Sequence, residues 1–133
     1  QILAACNAIC KDTLMETLEI EFIDLTDDVL VAKMPVTKRV HQPDGVLHGG
    51  ATVALAESIG SAAAFVFLGN NNVTVRGLEI AANHIKSIKD GYVYARAIAL
   101  HKGRTTQLWQ IRIENENGDL ISLVKLTTIT LHK

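Results

Sequence analysis

The sequence predicts an α+β fold, a curved antiparallel sheet wrapped around one long central helix. Three observations carry that prediction. Residues 51–68, "ATVALAESIGSAAAFVFL", make one small and apolar run interrupted by a single charge. From Val73 onward, polar and apolar residues alternate in four successive stretches, the period of half-buried strands. Asp90-Gly91 and Asn117-Gly118 fall between alternating stretches, where such dipeptides favour hairpin turns.

The elements follow in order. Ile2, Leu3, Cys6, Ile9, Cys10 and Leu14 recur at helical spacing, predicting a helix over about 2–16. In "LEIEFIDLTDDVLVAKMPV" a mostly two-residue period predicts two strands joined through the turn chemistry of "TDD". The segment "TKRVHQPDGVLH" reads as a loop, punctuated by Pro43 and Gly45. The long helix begins near Gly49 and fades at Gly69-Asn70-Asn71-Asn72, a second loop. "TVRGLEIAANHIKSI", "YVYARAIALHKG", "RTTQLWQIRIENE" and "DLISLVKLTTITLH" complete the chain as strands. A helix apolar nearly all round must be covered on most sides, and a sheet curling about it supplies the cover. This is the hot-dog arrangement.

Composition narrows the classes of function. The 133 residues fit one domain, 1–133, with a single core. A hydrophobic content of 48% against 20% charged excludes a disordered chain. With a net charge of −1, no global field draws the protein to nucleic acid or anionic lipid, so an anionic ligand must meet a local cluster. Cys6 and Cys10 match neither a redox nor a zinc spacing; four apart, they are expected to share a core-facing side of the first helix. The absence of a disulfide framework suits a cytoplasmic setting. No signal-peptide pattern is visible; the chain opens on Gln1, and a short preceding piece is expected. Residues 51–68 approach the length of a membrane span. The central Glu57, the Gly, Ser and Ala content and the lack of flanking Lys or Arg favour a soluble core helix instead.

One stretch, "HGGATVALAESIGS", concentrates the chemistry. Between Asp44 and Arg76 the only formally charged side chain is Glu57, and its helix neighbours Ala54, Ala56, Ile59 and Gly60 offer no polar face. Burying a carboxylate without a partner is costly, so a glutamate kept there is a candidate catalytic group or one half of a buried ion pair. Gly49 and Gly50 open the helix, where backbone N–H groups lack partners and the dipole end is positive. A glycine there lets a ligand carbonyl approach closely, as an oxyanion hole requires. Gln42 and His48 are neutral polar groups beside that terminus, and Ser61 lies one turn beyond Glu57. Gly49 and Glu57 are eight positions apart, about 12 Å along a helix, too far to grip one small reacting group. Two chains with antiparallel long helices could set Gly49 of one opposite Glu57 of the other, so an enzyme built this way is expected to share its site across a dimer.

"QPDGVLHGGATVALAESIGS", "LEIAANHIKS" and "LWQIRIENENGDLISLVKLT" together resemble the hot-dog acyl-CoA thioesterases over essentially the whole chain. The nearest branch hydrolyses aromatic acyl-CoA thioesters, including 1,4-dihydroxy-2-naphthoyl-CoA in menaquinone synthesis and the substrates of enterobactin-pathway proofreading. The resemblance implies that Glu57 is the catalytic carboxylate, as nucleophile or as base toward water. It implies that the Gly49 N–H meets the thioester carbonyl, that Gln42 and His48 hold and polarise it or orient water, and that Ser61 and His84 line the site. It also implies a homotetramer, a dimer of dimers with each site built from two chains. One departure is Asp44, where close relatives often carry Phe; it adds charge near the thioester loop.

These residue types suit thioester hydrolysis. A thioester carbonyl has less resonance stabilisation than an amide, so polarisation and a nucleophile suffice. Glu57 attacks to form a mixed anhydride or takes a proton from water. The CoA thiolate leaves without strong acid help. No Ser-His-Asp set is evident, and the spacing of His41, His48, His84, His101 and His132 points to no metal. No cofactor is expected beyond the CoA carried by the substrate. Its phosphates are expected to meet Lys86, Ser87 and Lys89, and Lys102, Gly103 and Arg104, with Arg104 and Ser87 foremost. Trp109 and Phe65 are expected in the core. Two alternatives stand beside hydrolysis: an acyl-thioester dehydratase or hydratase on the same fold, and a non-catalytic acyl-CoA binding module. Gln42 stands where such dehydratases tend to carry histidine, and the chain has no helix-turn-helix or basic arm of a DNA-binding sensor.

Overall fold

The computed structural model describes residues 1–68 and 72–132; of the expected 69–72 loop only Asn72 falls within them. The N-terminal helix is two helices. α1 (Ile2–Ala8) is capped by Gln1, whose Oε1 accepts the Ala4 N–H at 2.7 Å, and α2 (Leu14–Thr17) is capped by Thr13. The expected continuous helix breaks because Asp12 takes φ 63°, outside the helical region, and Thr13 Oγ1 then accepts the Met15 N–H. Cys6 and Cys10 are both buried, as their spacing predicts, and burial pushes both thiols above their ordinary range.

Six strands follow: β1 (Glu21–Leu25), β2 (Val29–Pro35), β3 (Val73–His84), β4 (Tyr92–Lys102), β5 (Thr106–Glu114) and β6 (Leu120–His132). They form one antiparallel sheet in the order β1-β2-β4-β5-β6-β3. The Asn117-Gly118 turn joins β5 to β6 as the dipeptide predicts, with Gly118 at φ 83°. The Asp90-Gly91 hairpin does not form. Gly91 does turn at φ 77°, but β4 pairs with β2 and β3 pairs with β6, leaving β3 at the sheet edge. Turn chemistry is local, whereas the partner of β4 is chosen by the β2 register, which the Val36 N–H extends by bonding the Gly91 carbonyl at 2.8 Å.

α3 (Gly49–Leu68) lies across β2–β6. Thr52, Leu55, Ala56, Ile59, Gly60, Ala63 and Ala64 form its buried stripe, three and four residues apart on one face. They meet Trp109, Ile111, Ile113, Val124 and Leu126 from the sheet in one hydrophobic core. So the span-length helix is a core helix, though a half-covered one. The sheet shields one face, and the opposite face carries exposed Glu57 and Phe65. The expected all-round cover is absent within the protomer. At one end of the core a buried polar set is fully satisfied: the Gln107 amide donates to the Gly103 carbonyl and Thr130 Oγ1, while Thr128 Oγ1 donates to Gln107 Oε1 and accepts the Trp109 indole N–H. The architecture is the hot-dog fold.

Candidate active site

The site begins where the loop before α3 meets the segment after β3. The Leu47 N–H bonds the Ile88 carbonyl at 2.8 Å, tying the two segments together. His48 then starts the helix: its carbonyl accepts the Ala51 and Thr52 N–H groups, and its Nδ1 accepts the Gly50 N–H at 2.7 Å. That acceptor role puts the proton of a neutral His48 ring on Nε2. The Gly49 N–H is left over, with no acceptor among the described residues. It stands at the positive end of a 20-residue helix, a place suited to developing negative charge.

Gly49 lines a cavity of about 240 Å³ together with Gln42, Thr52, His84, Ser87 and Ser122. His84 reaches Gly49 from the last residue of β3, and its Nδ1 shares a 2.7 Å hydrogen bond with Ser122 Oγ on β6, the strand paired to it. Ser122 is 1% exposed, a partner that the sequence reading missed. The signal was available: Ser122 continues the inward row of Val124, Leu126, Thr128 and Thr130, and a polar residue in such a row needs a reason. The Gln42 amide donates to Asp44 Oδ1 at 2.8 Å, so the unusual carboxylate is attached directly to a predicted site residue. His48 lies on the other side of the helix start, beside Arg39, His41 and Leu14.

Glu57 occupies the uncovered face of α3. It lines a second, larger groove of about 630 Å³ with Ser61 and a wall of apolar groups, among them Cys6, Ile9, Met15, Phe65 and Val75. Within one protomer Glu57 is exposed rather than buried, and no donor or cation holds its carboxylate among the described residues. Ser58 bonds back to the Ala54 carbonyl at 2.7 Å; Ser61 makes no such bond among the described residues, leaving its hydroxyl for the groove. Trp109 is wholly buried as expected. Phe65 is not core: it is 48% exposed and lines the Glu57 groove, while Phe67 takes the core position stacked on Trp109. The helical period explains the swap, because Phe65 falls outside the buried stripe.

The expected cationic cluster divides. Lys86 and Ser87 line the Gly49 cavity, with the Lys86 ammonium 3.2 Å from Asp119. Arg104 sits in the β4–β5 hairpin at the opposite end of the sheet. Ser122 pairs with His84 and Ile129 pairs with Thr106, so seven residues of β6, roughly 23 Å at about 3.3 Å each, separate the two ends. One protomer therefore does not bring Arg104 to Lys86 and Ser87. Nor does it bring Glu57 to Gly49: each lines its own cavity. Among the described residues, no three His, Cys, Asp or Glu side chains are grouped to hold a metal ion.

Among the described residues, the central helix thus carries an unpartnered amide at Gly49 and, eight residues along, an unpaired carboxylate at Glu57. The sequence profile of the thioesterase superfamily matches residues 44–122, a span that includes both Gly49 and Glu57. The chain is 45% identical over 129 residues to the 1,4-dihydroxy-2-naphthoyl-CoA hydrolase of Escherichia coli, covering 97% of this chain and 94% of that protein. It is 43% identical over 129 residues to a proofreading thioesterase of Cronobacter turicensis, covering 97% and 93%. The crystal structure of a thioesterase from Haemophilus influenzae superposes with a TM-score of 0.94 at 42% identity, over 98% of this chain and 90% of that one. The chain belongs to the thioesterase superfamily, and it is a thioester hydrolase.

Proposed function

We propose that the protein hydrolyses an acyl-CoA thioester, with an aromatic or broad-range acyl group, at a site shared by two chains. The observation that carries this reading is the separation of Glu57 and Gly49 into different cavities of one protomer, each lacking what the other holds. β3 is an open sheet edge, and the Glu57 groove runs beside it, so a second copy joined along this edge would bring its own helix start toward Glu57. A dimer of two such dimers belongs to the same proposal, as does a cytoplasmic setting, which suits two free buried thiols.

In the proposed reaction the Gly49 N–H of one chain, with Gln42, polarises the thioester carbonyl and stabilises the oxyanion. Glu57 of the other chain either attacks that carbon to give a mixed anhydride or takes a proton from the attacking water. The tetrahedral intermediate expels the CoA thiolate; on the anhydride route water then cleaves the anhydride to the free acid and restored Glu57, and on the base route the oxygen of the attacking water ends in the acid. Ser61 shares the groove with Glu57 and can orient water or the acyl group. Among the described residues no Lys, Arg or His lines that groove, which favours an uncharged acyl group. The relative named 1,4-dihydroxy-2-naphthoyl-CoA hydrolase supports an aromatic one. Lys86 and Ser87 line the Gly49 cavity, which supports a role for them in meeting CoA.

The test is thiol release from panels of aromatic and aliphatic acyl-CoA thioesters by the wild type and Glu57→Gln. The reading expects free CoA from the wild type, fastest with aromatic acyl groups, and loss of most turnover in the variant with substrate binding intact. Hydration of enoyl-CoA without CoA release would instead identify a hydratase.

A further inference from the structure

We infer that Gly77 is a positioning residue for the carboxylate of Glu57: the missing side chain on the edge strand is the slot that seats the acid. This rests on the proposed role of Glu57. The position lies on β3, where the pairing with β6 slips between Gly77 and Glu79, a bulge that inserts Leu78. A Cβ built on Gly77 would stand 2.6 Å from Glu57 Oε2 and 3.6 Å from its Cδ. The first distance is far inside van der Waals contact.

Neither a left-handed backbone nor a close backbone neighbour within the protomer calls for glycine here. Gly77 is not among the positive-φ glycines, so its backbone is open to any residue. No backbone atom obstructs a side chain; apart from Glu57, the nearest neighbour is Leu126 Cδ1 at 3.6 Å, an ordinary contact. The one obstruction is the end of a flexible glutamate. Glycine weakens a strand interior, so its presence where, within the protomer, the acid alone obstructs a side chain points to the acid it accommodates. No hydrogen bond or ion pair fixes the Glu57 carboxylate among the described residues, which leaves the shape of this slot to limit where it rests. Alanine at 77 leaves the sheet intact and drives the carboxylate off its resting place.

The experiment compares wild type, Gly77→Ala, Glu57→Gln and the double variant Gly77→Ala/Glu57→Gln by steady-state thiol release, with melting curves and size-exclusion profiles for each. Gly77→Ala should lower kcat by roughly 10- to 100-fold, the scale of a misplaced catalytic group, with KM within about threefold and unchanged melting and assembly. The double variant should be no slower than Glu57→Gln alone, because the alanine acts only through the acid. Wild-type kcat in Gly77→Ala beside an inactive Glu57→Gln overturns the inference and leaves the catalytic role of Glu57 standing. Full activity in Glu57→Gln overturns that role itself. If Gly77→Ala lowers the melting temperature, pairing it with Glu57→Ala must restore it; a loss that persists without the glutamate shows that the glycine serves the strand, and the inference fails.

Discussion

The imidazole Nε2 of His84 lies 2.9 Å from the point where a side chain on Gly49 would begin. His84 is held there by Ser122, so the first residue of α3 has room for hydrogen and nothing larger. Gly49→Ala must therefore displace the ring or tilt the helix start that aims the free N–H. We predict a fall in kcat of about 100-fold, the effect of losing one aligned oxyanion donor, with binding of CoA itself retained. Steady-state thiol release and CoA titration calorimetry measure the two quantities; wild-type kcat would remove Gly49 from the reaction.

Ser122→Ala deletes the partner of His84 Nδ1 and nothing else that the site uses. One lost neutral hydrogen bond of about 1 kcal/mol corresponds to about a fivefold fall in kcat/KM. The kcat and KM of thiol release are the readout; an unaltered rate would make the pair merely structural.

Asp44→Ala releases the Gln42 amide from its carboxylate and removes a negative charge from the loop that leads into α3. Both changes favour an oxyanion, so kcat/KM should rise severalfold, more at low than at high ionic strength. A fall would mean that Asp44 holds Gln42 in its working orientation.

Gln107→Leu takes away the donor to the Gly103 carbonyl and Thr130 Oγ1 and the acceptor of the Thr128 hydroxyl, which keeps only the Trp109 indole N–H, in the buried end of the core. We expect a loss of about 2–3 kcal/mol. At this chain length that lowers the melting temperature by roughly 10 °C. Turnover well below the melting transition should be unchanged, because none of these atoms lines the Gly49 or Glu57 cavities.

Local patterns carried much of the fold. The alternation after Val73 yields four strands, and the apolar run yields a helix ending at Leu68, because side-chain period follows directly from backbone geometry. Asp90-Gly91 misled, since a turn dipeptide says nothing about which strand its neighbours pair with. Phe65 misled in the same way: in a helix apolar nearly all round, composition does not say which side the sheet covers. Within the site, the eight-residue gap between Gly49 and Glu57 already indicated that one chain does not bring the two together. Long-range contacts stayed hidden. Ser122 beneath His84 and Gly77 beneath Glu57 are juxtapositions made by strand pairing and helix packing; the inward row marks Ser122 as a buried polar residue, but spacing names neither partner.

The most direct test mixes two inactive chains. Glu57→Gln removes the acid, and Gly49→Pro removes the N–H; the backbone of a first helical position suits proline, while its ring must displace His84. If each site takes Glu57 from one subunit and Gly49 from the other, every mixed dimer regains one intact site. A statistical mixture, half of it mixed dimers, then recovers about a quarter of wild-type thiol release, following from two-fold symmetry. Activity that stays at the level of the separate variants, while native mass spectrometry shows mixed dimers forming, would contradict the shared site.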